Sequence, residues 1–307
     1  MTQSLGIQMK NEKYKKSSVC RLCGSSSLTS VLKLASTPPA NAFISKDKLN
    51  LSQKKYPLEL FFCKSCKHVQ LIEIIDPKEL FENYVYVSGT SPIFRNHFFN
   101  YAKGIIEKYK PSLNSYVLDI GSNDGTLLKF FKEFGYKVVG VDPAIEISMK
   151  ANNDGITTIN EFFNFDTAKK IDQTYSKASL ITANNVFAHC DDLSGITQAV
   201  SNLLAPNGLF VFEVSYLVDV YEKTLFDTIY HEHLSYHSVI PLVNFFKGKN
   251  MELIDVTRVS THGGSIRCVV KNSIDNFAIN DSVKRLVDME KRFSFDDPSI
   301  FESLKKN

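Results

Sequence analysis

From residue 116 to 214 the chain alternates short apolar runs with amphipathic ones, and this alternation does most to narrow what it can fold into. Tyr116–Ile120, Lys137–Val141, Ile156–Ile159, Leu180–Ala183 and Leu209–Val214 read as strands. Between them, Thr126–Phe134 reads as a helix closed by Gly135. Leu193, Ile196, Val200 and Leu203 mark another, capped by Asp191 and ended by Pro206-Asn207-Gly208. Strands this apolar have no solvent-facing side, so the pattern predicts a parallel sheet covered by helices on both faces. One more helix is expected before the series. Ser91 is its N-cap, Pro92 its first residue, and Phe94, Phe98, Tyr101, Ile105 and Tyr109 follow at helical spacing until Pro111 stops it.

The first strand of the series runs into Asp119-Ile120-Gly121-Ser122-Asn123-Asp124-Gly125-Thr126. Glycines at this junction let the backbone approach a ligand at the start of a helix. Asp142 ends the second strand, 21 positions after Gly121. An acid there accepts hydrogen bonds from the ribose hydroxyls of an adenosine. A dinucleotide site prefers G-x-G-x-x-G, whereas here only G-x-N-x-G survives, which argues against a pyrophosphate. S-Adenosylmethionine meets both conditions. The expected cofactor residues are Asp119, Gly121, Asn123, Gly125 and Asp142, with Asn184 just past the fourth strand. The competing reading is a sheet crossing whose glycines only permit close packing.

With 307 residues and 34.7 kDa, the chain is long enough for two domains and a small third piece. Its charge balance, 36 − 33 = +3, is too mild to argue for nucleic acid or a membrane surface as partner. Met1–Ser18 is polar and Lys-rich without the apolar run of a leader, and no stretch reaches the ~18 apolar residues of a membrane helix. The expectation is a cytoplasmic protein with reduced thiols.

That expectation bears on the six cysteines. Cys20-Arg-Leu-Cys23 and Cys63-Lys-Ser-Cys66 are two knuckles, each placing two thiolates on one tight turn, and Leu58–Phe62 reads as a strand delivering the second. Together they predict a four-thiolate Zn²⁺ site in preference to a redox pair, and four sulfurs leave no open position for catalysis. His68 is read as a bystander, and Cys190 and Cys268 as small apolar residues.

Past the fifth strand the chain reads Glu213-Val214-Ser215-Tyr216 and later Tyr230-His231-Glu232-His233-Leu234-Ser235-Tyr236-His237. Ligands of open α/β sheets bind beyond the carboxyl ends of the strands. Histidine is the natural acid or base near neutral pH, and Glu can orient it. Catalysis is therefore favoured over a second metal held by His231, His233 and His237, and over histidines simply buried in a loop. His262-Gly263-Gly264-Ser265 resembles an esterase oxyanion loop, but the chain has no G-x-S-x-G elbow to accompany it.

The paired knuckles, Tyr84-Val85-Tyr86-Val87-Ser88-Gly89-Thr90-Ser91, the loop Asp119 to Gly125, Tyr230-His231-Glu232-His233 and His262-Gly263-Gly264-Ser265-Ile266-Arg267 occur in this order. In combination the chain resembles the nucleotide-sugar C-methyltransferases of deoxysugar pathways, from about Cys20 onward. The resemblance implies an α/β fold with a Rossmann-like class I S-adenosylmethionine-dependent methyltransferase sheet behind a small zinc-binding domain. It implies methylation of the carbon next to the ketone of a nucleotide-linked 4-keto sugar, with the nucleotide sugar as partner. It makes His233 the general base with Tyr230 and Glu232 beside it, sets His189 near the sugar, and brings Tyr84 in from the N-terminal side. Glu213, Tyr216 and His231 are then substrate-facing. The division expected is 1–78 zinc-binding, 79–258 methyltransferase, and 259–307 the beginning of a C-terminal lobe that the family continues well beyond this point. An O-methyltransferase, or a binding module without turnover, remains the alternative reading.

Overall fold

The computed structural model describes residues 14–82, 84–302 and 304, so the leader-free reading of Met1–Ser18 lies, up to residue 13, outside the described residues. The N-terminal part opens with β1 (Tyr14–Lys16), followed by β2 (Leu28–Thr37), β3 (Tyr56–Cys63), β4 (Val69–Leu71) and β5 (Glu73–Ile75). β2, β3 and β4 form an antiparallel meander, and β1 pairs with β5. Along β3, Tyr56, Leu58, Leu60 and Phe62 are buried while Pro57 is exposed, the period-two pattern of a strand with one covered face. A short helix α1 (Pro77–Phe81) follows, its first turn capped by the Asp76 carboxylate on the Lys78 N–H.

The long helix α2 (Pro92–Tyr109) has Ser91 as N-cap and Pro92 at its start, as expected. It leads into the series β6 (Tyr116–Ile120), α3 (Thr126–Glu133), β7 (Lys137–Val141), α4 (Ile145–Asn153), β8 (Thr158–Ile159), α5 (Phe165–Tyr175), β9 (Ala178–Asn184), α6 (Leu193–Leu203) and β10 (Leu204–Ser215). After β10 come α7 (Leu217–Glu222), β11 (Ser235–Tyr236), α8 (Val239–Lys247), β12 (Met251–Val259), β13 (Ser265–Asn272) and α9 (Asp281–Arg292).

The main sheet has seven strands in the order β12-β13-β10-β9-β6-β7-β8. β8, β7, β6, β9 and β10 are mutually parallel, and β13 runs antiparallel between β10 and β12. The strand order reverses between β6 and β9, which opens a crevice at their carboxyl ends. Each strand feeds two cores by alternation. Val117, Leu180 and Val211 meet α2 and α3, whereas Leu118, Ile181, Phe210 and Phe212 face α6 and α8. The second core runs on without a break into Leu60, Phe62 and Leu71 of the meander.

The expected boundary at 258/259 falls inside the β12–β13 hairpin. The antiparallel pairing of β13 with β10, from Leu209↔Lys271 to Ser215↔Ser265, makes residues up to 272 part of the main sheet. The following α9 is tied to the same body. Its Glu290 is fully buried and accepts from the Val239 N–H at 2.6 Å, the Ile240 N–H at 2.8 Å and the Tyr216 hydroxyl at 2.8 Å, which caps α8. Phe301 packs on Phe62 of β3. Among the described residues, the stretch expected to start a separate lobe packs against both the sheet and the meander.

Glu290→Ala would leave two backbone donors and one hydroxyl buried without a partner. It should lower the stability of unfolding by about 3 kcal/mol or more. Urea unfolding checks this, and a loss below about 1 kcal/mol would show that the cap is dispensable.

Candidate active site and zinc site

The two knuckles are alike in backbone. The Cys20 carbonyl accepts from the Gly24 N–H and the Cys63 carbonyl from the Lys67 N–H, both at 2.8 Å. Gly24 and Lys67 both take the left-handed conformation, each with φ 73°. The turns bring the four sulfurs within 4.8 Å of one another. Cys20 Sγ lies 3.5 Å from Cys66 Sγ, and Cys23 Sγ lies 3.6 Å from Cys63 Sγ. A tetrahedron of ~2.3 Å Zn–S bonds has edges of about 3.8 Å, so the geometry fits Zn²⁺ held by all four thiolates. The thiols are free rather than bridged. His68 turns away from them, and its Nε2 pairs with the Ser235 hydroxyl at 3.1 Å.

A cavity of about 640 Å³ opens at the strand-order reversal. Gly121 lines it with φ +66°, and a Cβ there would come within 2.3 Å of Val186 Cγ2, so only glycine keeps this floor open. Asp142 is buried at the end of β7. Its two oxygens accept from the Asn123 N–H at 2.8 Å and the Ala144 N–H at 2.9 Å, and burial raises its carboxyl above the ordinary range. Burial pushes Asp119 up to about 7, against a 2.6 Å hydrogen bond from the Thr182 hydroxyl. Asn184 contributes an amide whose two polar atoms are both buried without a hydrogen-bond partner of ordinary geometry.

These features fit S-adenosylmethionine. Asp142 suits the ribose hydroxyls, and the buried Asn184 amide can take up a polar group of the amino-acid part. Asp119, Asp142, Asp191, Asp192 and Asp227 line the cavity, and no Lys or Arg does among the described residues. Such a wall suits a ligand carrying both a sulfonium and an ammonium.

Two expected cofactor residues have structural duties, Gly125 away from the cavity and Asn123 on its lining. Gly125 does not line the cavity; its φ of +73° and the closeness of Ile156 are what require a glycine, since it starts α3 against that side chain. Asn123 spends its side chain on a strap. Its Oδ1 accepts from the Ser88 N–H and its Nδ2 donates to the Tyr86 carbonyl, both at 2.9 Å, which draws residues 86–88 over the loop.

The opposite wall comes from 226–237, which is neither a strand nor a helix at its centre. The His233 N–H bonds the Tyr230 carbonyl at 3.0 Å, and this turn separates the two histidines. His233 points into the cavity with Tyr230 and His189. Its Nδ1 lies 2.8 Å from the Thr228 carbonyl, which can only accept, so Nδ1 carries the proton. Nε2 is then the free base and takes the Tyr230 hydroxyl at 3.0 Å. Burial pushes His233 down to about 4, with the Thr228 carbonyl opposing. His189 stacks on His233 at 5.1 Å and on Phe81 at 5.5 Å, and burial holds it well below the ordinary histidine range.

Glu232 lies one layer back, joined to two residues that do line the cavity. It accepts from Asn41 Nδ2 at 2.6 Å and from the Tyr84 hydroxyl at 3.2 Å. Burial raises the Glu232 carboxyl and the Tyr84 phenol.

Three residues expected to face substrate do not line this cavity. His231 is fully buried against the meander, with Nε2 3.1 Å from the Pro57 carbonyl. Tyr216 gives its hydroxyl to Glu290. Glu213 is held by His97 at 2.7 Å and Arg267 at 3.0 Å; burial alone would raise its carboxyl, and these two partners outweigh it and keep it low. His231, His233 and His237 diverge, and among the described residues the convergent metal-ligand group is the four cysteines. Asn41, Phe81, Asp227, Thr228 and His262 line the cavity without having been singled out for it. Asn41 carries no local signal, whereas His262 stood in a recognised motif whose esterase reading hid its place beside Asn185, 3.2 Å away.

Strand order, glycine floor and acidic crevice have the form of the seven-stranded α/β methyltransferase fold. A family model described as "Methyltransferase domain" matches residues 94–255, more than half of the chain, and the chain belongs to that family. A second, described as "Putative zinc binding domain", matches residues 20–81. The chain is 34% identical over 247 residues to the C-methyltransferase NovU of Streptomyces niveus, covering 80% of this chain and 59% of that protein's length. Among solved structures it is similar to a magnesium protoporphyrin IX methyltransferase from Synechocystis with bound SAH, at 13% identity and TM-score 0.44 over 57% of this chain and 82% of that one. A SAM-dependent methyltransferase from Anabaena variabilis gives 13% identity and TM-score 0.43 over 62% of this chain and 100% of that one. Among the described residues, no helix is long and apolar enough to cross a membrane.

Cys20→Ser should yield protein short of zinc by elemental analysis and lower the thermal midpoint by roughly 5 °C or more. Wild-type protein purified without chelator yet free of zinc would refute the assignment. Asp142→Asn keeps the shape but weakens the acceptor, so calorimetry should find S-adenosylmethionine bound about tenfold more weakly, a loss of ~1.4 kcal/mol, with zinc content unchanged.

Proposed function

We propose that the chain methylates the carbon next to the ketone of a nucleotide-linked 4-keto deoxysugar, by way of an enolate, with S-adenosylmethionine as donor. The observation that carries this reading is the His233–Tyr230 pair in the same cavity as Gly121 and Asp142. A tautomerically fixed free base beside the cofactor crevice is what removal of a proton next to a ketone needs. The likeness to a C-methyltransferase supports carbon rather than oxygen as the acceptor. The chain spans 59% of that relative's length, so the activity of the whole protein is part of the proposal.

S-Adenosylmethionine, when bound, supplies an electrophilic methyl on a sulfonium. Asp142 and Asn184 would hold it, with the Gly121 floor permitting close approach. His233 Nε2 accepts the proton from the carbon, and the Thr228 carbonyl supports the imidazolium that results. Tyr230 is the nearest hydroxyl donor to that base and can turn to the developing enolate oxygen. Tyr84, backed by Glu232 and Asn41, is a second donor from the other wall. Phe81 and His189 keep water from the pair.

The test is exchange of the proton next to the ketone into deuterated solvent, which needs only the base and a bound ketone. His233→Ala should slow it by ~10² to 10⁴ while binding cofactor normally, and exchange that continues at the full rate would remove His233 from the mechanism. Because burial pushes the folded histidine down to about 4, it stays unprotonated from neutral pH down to about pH 5. Exchange should therefore hold steady to about pH 5 and fall through about 4, rather than failing near the ordinary histidine value of about 6.5.

A further inference from the structure

Arg21 sits inside the first knuckle, between Cys20 and Cys23, yet its guanidinium points away from the sulfurs and its side chain is only 2% exposed. Nη1 donates to the Leu71 carbonyl and, at 3.1 Å, to the Leu234 carbonyl. Nε donates to Asp191 Oδ1 at 3.1 Å. The base of the side chain is fixed as well. The Arg21 N–H bonds Gln70 Oε1 at 2.9 Å, and Gln70 Nε2 bonds the Val19 carbonyl at 3.0 Å.

The two outer partners belong to different loops. Leu234 directly follows His233, and Asp191 stands two residues past His189. These are the two imidazoles stacked at 5.1 Å in the cavity. The loops touch once by backbone, where the Ser235 N–H bonds the Ala188 carbonyl at 3.0 Å. Arg21 adds a second tie between them from outside the cavity.

We propose that Arg21 is a positioning residue, whose guanidinium clamps the loop behind His189 to the loop behind His233 and thereby holds the stacked imidazoles in register. The catalytic part of this inference rests on His233 being the base. Only a planar fork spans these partners. A lysine in the same place offers a point charge on a flexible stem and lacks the two separate donor nitrogens, Nη1 and Nε, that here meet the two carbonyls and the carboxylate. The clamp also gives the knuckle a consequence for the cavity, because the turn that presents the sulfurs presents Arg21.

The experiment is an imidazole ¹⁵N NMR titration of His233 in the full chain, its signal assigned by its absence in His233→Gln. In wild type the ring should remain neutral to well below pH 6. In Arg21→Gln, with zinc retained by elemental analysis, the loosened ring reaches water and its midpoint should rise by at least about one pH unit. Arg21→Lys should give a smaller rise of the same sign. Proton exchange in Arg21→Gln should fall about tenfold or more at unchanged S-adenosylmethionine affinity. A folded Arg21→Gln protein whose His233 midpoint does not move overturns the clamp. Should that variant fail to fold, Arg21→Lys and Asp191→Asn each remove part of the clamp, and an unmoved midpoint in both overturns it equally. A shifted midpoint in a protein whose wild type exchanges no ketone proton leaves the clamp standing and refutes the proposed reaction instead.

Discussion

The structure turns on five residues, Leu234 to Tyr236 and the positions flanking them. Ser235 and Tyr236 add a fourth strand to the zinc-side meander, pairing with Gln70 and Val69. His237, one residue later, bridges to Tyr216 just past β10, and its carbonyl takes the Leu217 N–H at 2.9 Å. One short segment thus satisfies backbone groups of both sheets. Backbone pairing inside a dry interface is costly to break, since each freed group is left without water. The catalytic candidates Tyr230, Glu232 and His233 lie just upstream. Their placement follows from a seam that neither sheet could form alone.

The seam explains the electrostatic character of the site. His233 is driven toward its neutral form mainly by burial, and so are His68, His189 and His237. On the far side of the cavity, Asp119 is buried enough to titrate near 7. A low-dielectric crevice that combines neutral imidazoles with five lining Asp side chains suits a cationic donor. The same burial makes hydrogen-bond orientation decisive, because a neutral imidazole is useful only with the correct nitrogen free. The Thr228 carbonyl makes that choice here.

Much of the frame was legible from local sequence. The limits of β6 and β7 are the expected ones, and α2 starts at the Ser91-Pro92 signal, because apolar runs and Pro or Gly stops act within a few residues. The paired knuckles were legible for the same reason. Small misplacements are informative too. Asp191 was expected to cap α6, but Asp192 does, accepting the Gly195 N–H at 2.8 Å, and Asp191 is drawn away by Arg21 and Lys15. The hairpin of β12 and β13 joins the main sheet because an antiparallel strand completes the edge of β10, a long-range pairing that no local pattern announces.

By itself the sequence determined the strand–helix alternation, the four-thiolate cluster, the Gly121 floor with Asp142 across from it, and the stretch that carries the candidate histidines. Each depends on spacing along one stretch of chain. Spacing alone could not separate His231 from His233, which an extended segment would have turned to the same side; the resemblance singled out His233, and only the tertiary structure shows which of the two rings lines the cavity. A turn at Tyr230 sends one ring to the Pro57 carbonyl and the other into the cavity. It likewise decided that Asn41 meets Glu232 and that Arg21 meets Leu234, contacts across 191 and 213 residues of sequence. Such partners are chosen by how two sheets dock, and docking is set by the summed packing of both faces rather than by any one motif.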